Sequence, residues 1–385
     1  MAVTRSIPKS AAANFRRNPS SPWRHLDLLL IGSTVATAAL GVLMVFSATR
    51  SVVGQAGLAS TTYLVRQGVF VAIGMGVMTL VTLLDYRRYR DFAPFAYVGV
   101  LLLLLGVLSP LGTSVNGSQS WFAVGSLQLQ PAEFMKLVTI VLLAALCSQG
   151  AGRLQGRVVI LALAVVGIPT GLILLQPDLG SALVFVVALA GVLFVGGVQA
   201  RHLAVLVLLA VVGAIYLFGY SSYIAGYQRD RLTSFVGSGT ASDASFQVRQ
   251  AETAIGAGGV TGAGLFQGTQ TKLRYVPYQQ SDFIFTVVGE EFGFVGSAML
   301  LLLYSVMAWR IWRAATVARD MFGTLVCVGV LAMLLFQIFE NMGMTMGIMP
   351  ITGIPLPFLS YGGSSTIMMF AAMGLVLNIH TRRFS

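Results

Sequence analysis

Long apolar runs separated by short polar segments dominate the chain from Leu28 to the C-terminus. An α-helix needs roughly 20 such residues to cross a hydrocarbon core about 30 Å thick. The pattern therefore predicts an all-α polytopic membrane protein of about ten transmembrane helices. The predicted spans are residues 28–48, 68–84, 93–109, 131–148, 158–175, 182–198, 202–220, 283–307, 321–345 and 364–380.

Composition supports a lipid environment for most of the chain. Only 10% of the residues are charged and 56% are hydrophobic, whereas about a quarter of the residues in a soluble domain are charged. The net charge of +11 raises the possibility of nucleic-acid binding, but a nucleic-acid binder gathers its cations on one folded face. Here the Lys and Arg residues instead cluster on one side of the membrane. We therefore expect the chain to contact membrane lipids and to bind no nucleic acid.

The distribution of Lys and Arg predicts the orientation of the helices. With the N-terminus inside, the short outer loops hold only Arg50 and Arg66, and the short inner segments hold the many other basic residues outside the long outer loop. This asymmetry predicts a multi-pass protein of the bacterial cytoplasmic membrane with both termini in the cytoplasm. Residues 1–25 are basic and rich in Ser, Pro and Ala, which predicts a disordered cytoplasmic tail before a single transmembrane domain, residues 26–383.

One connection is much longer than the others. Residues 221–281 form an extracytoplasmic loop before the eighth predicted helix, and loops of this length are usually functional. Within it, residues 245–266 predict a short amphipathic helix followed by a glycine-rich stretch. These glycines, in 256–264, do not fit a dinucleotide-binding fingerprint because Thr261 occupies a position that requires glycine. We therefore expect a flexible or tightly turned loop there.

The cysteines indicate neither a disulfide nor a structural metal. Cys147 and Cys327 each fall inside a predicted span, far from any metal-ligand spacing. His380 and the other two histidines fall at predicted cytoplasmic helix ends, where ordinary interfacial histidines are more common than ligands.

Two oppositely charged residues begin the fourth predicted span. Glu133 and Lys136 are three residues apart, so they share one face of a helix, where each lowers the desolvation penalty of the other. Pro131 suits the first turn of a helix and places both charges near the outer surface. Either a structural ion pair or a functional site explains them.

Asp282 stands where the long outer loop enters the eighth predicted span. An Asp at a helix start is often only a cap, but a carboxylate beside Phe283 and Phe285 is partly desolvated, which raises its pKa toward the range of a general base. The residues alone leave both roles open. Deeper polar residues, namely Glu290, Glu291, Glu340 and Asn341, favour structural hydrogen bonding, and Asp178 is explained as a helix N-cap.

Six segments carry recognisable motifs: Asn116–Trp121, Gln130–Lys136, Gln176–Gly180, Gly264–Gly268, Asp282–Phe285 and Gly353–Ser365. Together they resemble the SEDS family, which includes RodA and FtsW. The likeness runs from about residue 26 to 383, and its last segment is highly specific. The sequence Ile354-Pro-Leu-Pro-Phe358 and the context of Trp121 are more similar to RodA, the elongation member, than to FtsW, the division member.

The resemblance implies a function. SEDS proteins are peptidoglycan glycosyltransferases that polymerise lipid II on the outer face of the cytoplasmic membrane, with inversion, and that pair with a class B penicillin-binding transpeptidase. By this likeness the chain serves cell elongation and shape, and Asp282 matches the catalytic aspartate. Glu133 and Lys136 match polar cavity positions, and Trp121 is assigned to the substrate site with them.

The leaving pyrophosphate requires a cation. Lys136 can supply it, and Arg249, Arg274 or a divalent ion, Mg²⁺ or Mn²⁺, can share that role. We expect no other cofactor, and we assign no residue of the chain as a metal ligand.

The chain departs from the family just before the aspartate. The family commonly has Pro-Glu followed by His-Thr, whereas here Pro277 is followed by Tyr278, Gln279, Gln280 and Ser281. We therefore assign no acid or imidazole assistance beside Asp282. The alternatives are a lipid II flippase, which predicts broken helices near the midplane, a division-specific polymerase of the FtsW type, and a scaffold without catalysis.

Overall fold

The computed structural model of the chain describes the protein in seven segments and one isolated residue. The predicted N-terminal tail and the predicted span 202–220 lie outside them, apart from residue 204, as does the loop up to residue 242. The described residues are 26–55, 61–115, 118–125, 127–149, 156–198, 204, 243–273 and 275–383.

Helices make up most of the described chain. Seven of them, α1, α2, α3, α5, α9, α10 and α11, are long and apolar enough to cross a membrane, and α6 is a shorter apolar helix. Every predicted span except 202–220 coincides with a described helix, which confirms a polytopic helical membrane protein. The helices are α1 (Leu28–Gln55), α2 (Thr62–Leu83), α3 (Tyr86–Val107), α4 (Pro131–Cys147), α5 (Gly156–Leu175), α6 (Leu179–Val195), α7 (Asp243–Gly258), α8 (Thr269–Leu273), α9 (Ile284–Thr316), α10 (Met321–Thr345) and α11 (Gly363–Thr381).

Local chemistry explains where several helices begin. Pro131 occupies the first turn of α4, as predicted, because its missing N–H has no helical partner to lose there. The carboxylate of Asp178 accepts the N–H of Ser181 at 2.9 Å, which confirms it as the N-cap of α6. Asp320 caps α10 in the same way, through the N–H of Gly323 at 2.8 Å.

Two buried contacts define the two ends of the bundle. At one end Asp27, just before α1, pairs with Arg310 near the end of α9 at 2.6 Å. At the other end of α1, Ser47 donates to the carboxylate of Glu291 near the start of α9. Helices α1 and α9 are therefore antiparallel neighbours. We call the ends the Asp27 end and the Asp282 end.

A small sheet folds the loop between α3 and α4, which the sequence did not predict. Its strands β1 (Thr113–Val115), β2 (Ser118–Val124) and β3 (Leu127–Leu129) pair antiparallel in the order β1-β2-β3. The hydroxyls of Ser118 and Ser120 donate to the carbonyl of Gln176 at 2.5 and 3.4 Å. These bonds dock the sheet on the end of α5.

Helix α9 is interrupted at Gly293, whose backbone is not helical (φ 63°, ψ −157°). The glycine-rich segment 259–264 lies against the interruption. It forms hydrogen bonds with four backbone groups of α9 beside the interruption. A Cβ on Gly262 would lie 2.2 Å from the carbonyl oxygen of Glu291, so only glycine permits this approach. The four bonds are Ala263 N–H to Glu290 O (2.9 Å), Gly264 N–H to Glu291 O (3.0 Å), Phe294 N–H to Gly259 O (2.9 Å) and Val295 N–H to Val260 O (3.1 Å).

Candidate functional site

Asp282 lies in a tight turn immediately before α9. Phe283, not Asp282, occupies the N-cap position, so the simple cap interpretation is wrong for this residue. The turn is built around Tyr278, whose φ of 55° is rare for a residue with a side chain. Its carbonyl accepts the N–H groups of Ser281 and Asp282 at 3.1 and 3.2 Å. Asp282 itself is half-buried.

Three consecutive carbonyls in this turn each accept a hydrogen bond from another part of the chain. The Tyr361 N–H donates to Gln280 at 2.8 Å, and the Ser360 hydroxyl donates to Ser281 at 2.5 Å. The bond to Asp282 itself, 2.8 Å long, comes from the buried side-chain amide of Asn341 in α10. The backbone that carries the Asp282 carboxylate is therefore fixed at three successive residues.

Segment 353–365 also contacts the beginning of α4. The hydroxyl of Ser364 accepts the N–H of Gln130 at 3.0 Å and donates to the carbonyl of Gln128 at 3.4 Å. Gln130 comes directly before the helix that carries Glu133 and Lys136. One continuous segment thus joins the two predicted parts of the site, Asp282 and the charged pair.

Glu133 and Lys136 form a buried ion pair. The Lys136 Nζ to Glu133 Oε1 distance is 2.6 Å, and the two side chains are 1% and 2% exposed. Within the described residues, Glu133 Oε2 and Thr139 Oγ1 have no hydrogen-bond partner. Lys136 and Thr139 also line a narrow cavity among α4, α5 and α6. Because buried polar atoms are nearly always satisfied, these two oxygens are unusual, but the cavity beside them is too narrow for a water molecule.

Arg66, which the sequence predicts only as an outer-loop cation, lies next to the same segment. Its guanidinium lies near the phenol of Tyr361, and Tyr361 packs edge-on against Tyr63 at 5.2 Å between ring centroids. Burial raises the pKa of Tyr361, and the interaction with Arg66 offsets part of that rise. The phenol is neutral at physiological pH, and the exposed Arg66 is a cation close to the turn of Asp282.

The remaining predicted site residues lie elsewhere. Trp121 is half-buried in β2, where Thr113 Oγ1 donates to its carbonyl at 3.0 Å. Arg249 is exposed on α7, and Arg274 lies outside the described residues. Among the described hydrogen bonds, none joins Trp121 or Arg249 to Asp282 or Lys136.

The deeper carboxylates anchor loops at the Asp282 end of the bundle. Glu290 accepts the N–H groups of Gln270 and Thr271 at 2.7 and 2.9 Å and the Thr271 hydroxyl at 2.7 Å. Glu340 accepts the Thr352 hydroxyl at 3.0 Å. These contacts agree with the predicted structural role. Arg50 adds a further tie, because its guanidinium donates to the Phe266 carbonyl at 3.3 Å.

The ligands for a protein-held metal ion are missing from the part of the chain that the structure describes. No group of three or more His, Cys, Asp or Glu side chains there could hold a metal. Cys147 and Cys327 are free, buried thiols.

Comparison with known proteins gives matches along nearly the whole chain. The family model described as "Cell cycle protein", which covers FtsW, RodA and SpoVE, matches residues 27–384. Stage V sporulation protein E of Bacillus subtilis is 38% identical over 365 residues, covering 92% of this chain and 96% of the relative. The probable peptidoglycan glycosyltransferase FtsW of Trichlorobacter lovleyi is 33% identical over 362 residues, covering 92% of each chain.

A solved structure has the same fold. It comes from a peptidoglycan synthase complex described as coordinating polymerization and crosslinking. One of its chains is 32% identical to this one with a TM-score of 0.78, and the match covers 94% of this chain and 100% of the other.

Proposed function

Because the chain belongs to the cell cycle protein family of FtsW, RodA and SpoVE, the SEDS family that its motifs indicate, we propose a full reaction for it. It is a peptidoglycan glycosyltransferase, and it polymerises lipid II into glycan strands on the outer face of the bacterial cytoplasmic membrane. The observation that carries this proposal is the fixed turn of Asp282, whose three carbonyls are each held by a hydrogen bond from outside the turn.

Asp282 acts as the general base. Its carboxylate takes the proton from a sugar hydroxyl of one lipid II while that oxygen attacks the anomeric carbon of a second. The bond from that carbon to the pyrophosphate breaks, and the polyprenyl pyrophosphate leaves with the electron pair. A single displacement inverts the anomeric carbon. A fixed base saves the entropy of positioning it for each turnover.

Lys136 stabilises the leaving pyrophosphate, and Glu133 holds Lys136 until substrate arrives. The pair is almost fully buried, and the cavity beside it is narrow, so binding requires the cavity to open. In a dry site a cation stabilises developing negative charge strongly. Arg249, Arg274 and the exposed Arg66 are further cations on this side, and Trp121 is a candidate surface for the sugar.

A divalent cation, Mg²⁺ or Mn²⁺, is proposed as a companion of the substrate. Mg²⁺ commonly binds substrate phosphates with few protein ligands, which suits a site whose described residues offer no cage. It would supply charge neutralisation on the pyrophosphate.

A class B penicillin-binding transpeptidase is the proposed partner. The structural neighbour belongs to a peptidoglycan synthase complex that couples polymerization to crosslinking. We propose that the chain serves elongation and cell shape, because the sequence of Ile354–Phe358 resembles RodA. A role in division is the alternative. Both termini are proposed to face the cytoplasm, from the asymmetry of basic residues.

A lipid II flippase is the alternative that one observation favours. Transporter sites are commonly built on discontinuous helices, and α9 is interrupted at Gly293. However, segment 259–264 bonds to four backbone groups beside the break, so these groups are already occupied and do not face a passing ligand. We therefore favour the polymerase.

The decisive experiment gives purified protein lipid II and follows glycan strands on a gel. Asp282→Asn should abolish polymer while the protein keeps its elution profile and thermal unfolding. Asp178→Asn is the matched control, because Asn also caps helices well, and it should polymerise normally. Polymer from Asp282→Asn at the normal rate would refute the base assignment. Movement of labelled lipid II across vesicles without polymer would favour the flippase.

A further inference from the structure

An open cavity of about 310 Å³ lies at the Asp27 end of the bundle, far from the Asp282 turn. Three helix ends meet there: the start of α1, the end of α9 and the end of α11. The charged and polar groups in its lining are Asp27, Arg310, Arg313, His380 and Arg383.

The lining carries an excess of positive charge. Both oxygens of Asp27 are engaged, since Oδ1 accepts the Leu30 N–H at 3.1 Å and Oδ2 pairs with Arg310 at 2.6 Å. Asp27 thus neutralises Arg310 and caps α1. Arg313 and Arg383 add two further guanidinium groups, and that of Arg383 contacts the ring of His380. Among the lining residues that the structure describes, Asp27 is the one carboxylate. The cavity is therefore suited to an anion.

Neighbouring side chains locate this cavity at the membrane surface. Trp309 and Trp312, on either side of Arg310, are 52% and 53% exposed, and tryptophan is enriched at the level of lipid headgroups. The Arg310 guanidinium lies 5.2 Å from the Trp309 ring centroid. Leu28 and Leu29, which line the same cavity, are 75% and 56% exposed and provide an apolar surface.

We propose that this cavity binds one anionic phospholipid, with its phosphate against Arg313 and Arg383 and an acyl chain along Leu28 and Leu29. Basic cavities between helices on the cytoplasmic side are suited to such headgroups, and the basic inner segments indicate that side. A bound lipid would bridge α1, α9 and α11. This site is separate from the polymerisation site and does not depend on the proposed reaction.

The test is native mass spectrometry of the full chain, purified in detergent and stripped of lipid. Dioleoyl-phosphatidylglycerol, dioleoyl-phosphatidylcholine and inorganic phosphate are added separately. We expect phosphatidylglycerol to be retained in preference to phosphatidylcholine. Arg313→Gln should weaken its binding by about five-fold, and adding Arg383→Gln should weaken it further. Asp27 and Arg310 are left intact because they hold the fold.

Arg319→Gln is the matched control, since Arg319 is exposed on the same side but does not line the cavity. It should bind phosphatidylglycerol like the unchanged protein. Equal retention of the two lipids, or full retention by Arg313→Gln, would overturn the proposal. Displacement of phosphatidylglycerol by equimolar inorganic phosphate would reassign the cavity to a free phosphate ion. Thermal unfolding of each variant without lipid checks that the bundle is intact.

Discussion

The side-chain amide of Asn341 donates to the carbonyl oxygen of Asp282 at 2.8 Å, and its second hydrogen donates to the carbonyl of Ile354 at 2.7 Å. Asn341 is fully buried in α10. A single amide therefore joins that helix, the loop before α11 and the turn of the proposed base. Because both bonds use the amide N–H₂, a side chain without donors cannot replace it.

Asn341→Ala should lower polymerisation by about 100-fold, because a displaced catalytic group can lose that much. It should also cost about 1–3 kcal/mol of stability through two unsatisfied carbonyls. Asn341→Asp should be at least as harmful, since it turns an acceptor toward both carbonyls. Polymerisation rate and thermal unfolding are the measurements.

Thr345→Ala is its control, because the Thr345 hydroxyl bonds only within α10, to Met342 O at 2.8 Å. This variant should polymerise at nearly the normal rate. A normal rate in Asn341→Ala would show that the turn does not need this anchor.

Lys136→Met should destabilise the protein by about 3–5 kcal/mol, because it leaves the Glu133 carboxylate buried without its cation. The double variant Glu133→Gln/Lys136→Met should recover most of that stability, since no isolated charge remains. If Lys136 stabilises pyrophosphate, the double variant should still lack activity. Recovery of both stability and activity would make the pair purely structural.

Gly262→Ala should destabilise the protein by about 2–4 kcal/mol, the sum of a left-handed backbone and a steric clash. Gly262 has φ of 83°, and its added Cβ would meet backbone atoms of Glu291. Gly256→Ala, in α7 with open space around it, should be neutral or slightly stabilising. Denaturation midpoints compare the two, and equal midpoints would contradict the close packing of this loop on α9.

Glu290→Gln should loosen α8 and the loop around it. The carboxylate accepts three short hydrogen bonds there, and an amide offers only one oxygen to the same donors. Limited proteolysis should cut within 259–273 several times faster than in the unchanged protein, with the rest of the bundle intact. The exposed Glu252→Gln is the control, and an unchanged cleavage pattern in Glu290→Gln would argue against this anchor.

The membrane spans were predictable because length and apolarity alone define them. The boundaries were less so. Helix α2 begins at Thr62, six residues before the predicted 68, because Gln67 is buried and donates to Ser360 O and Thr366 Oγ1 at 3.3 and 3.4 Å. From the local sequence alone, the polar Gln67 predicts a loop. It is helical because its hydrogen-bond partners come from a distant part of the chain.

The small sheet and most of the site geometry could not be predicted either. Strands β1 and β3 have three residues each, too few for a periodic signal. Motif resemblance predicted Asp282, Glu133 and Lys136 as site residues. It did not identify Asn341 as the partner of Asp282, which is 59 residues away in sequence.

The interruption at Gly293 divides α9 into two parts that are both needed to cross the membrane. Residues 294–308, between the break and Trp309 at the membrane surface, rise about 22 Å at about 1.5 Å per residue, which is less than the hydrocarbon layer of about 30 Å. The turns before the break therefore complete the crossing, and they carry Glu290 and Glu291. The hydrogen bonds of these carboxylates with Thr271 and Ser47 keep them from facing lipid. Asp282 precedes these turns, at the end of the helix opposite Trp309, where the proposed base can meet a sugar while the prenyl tail stays in the bilayer.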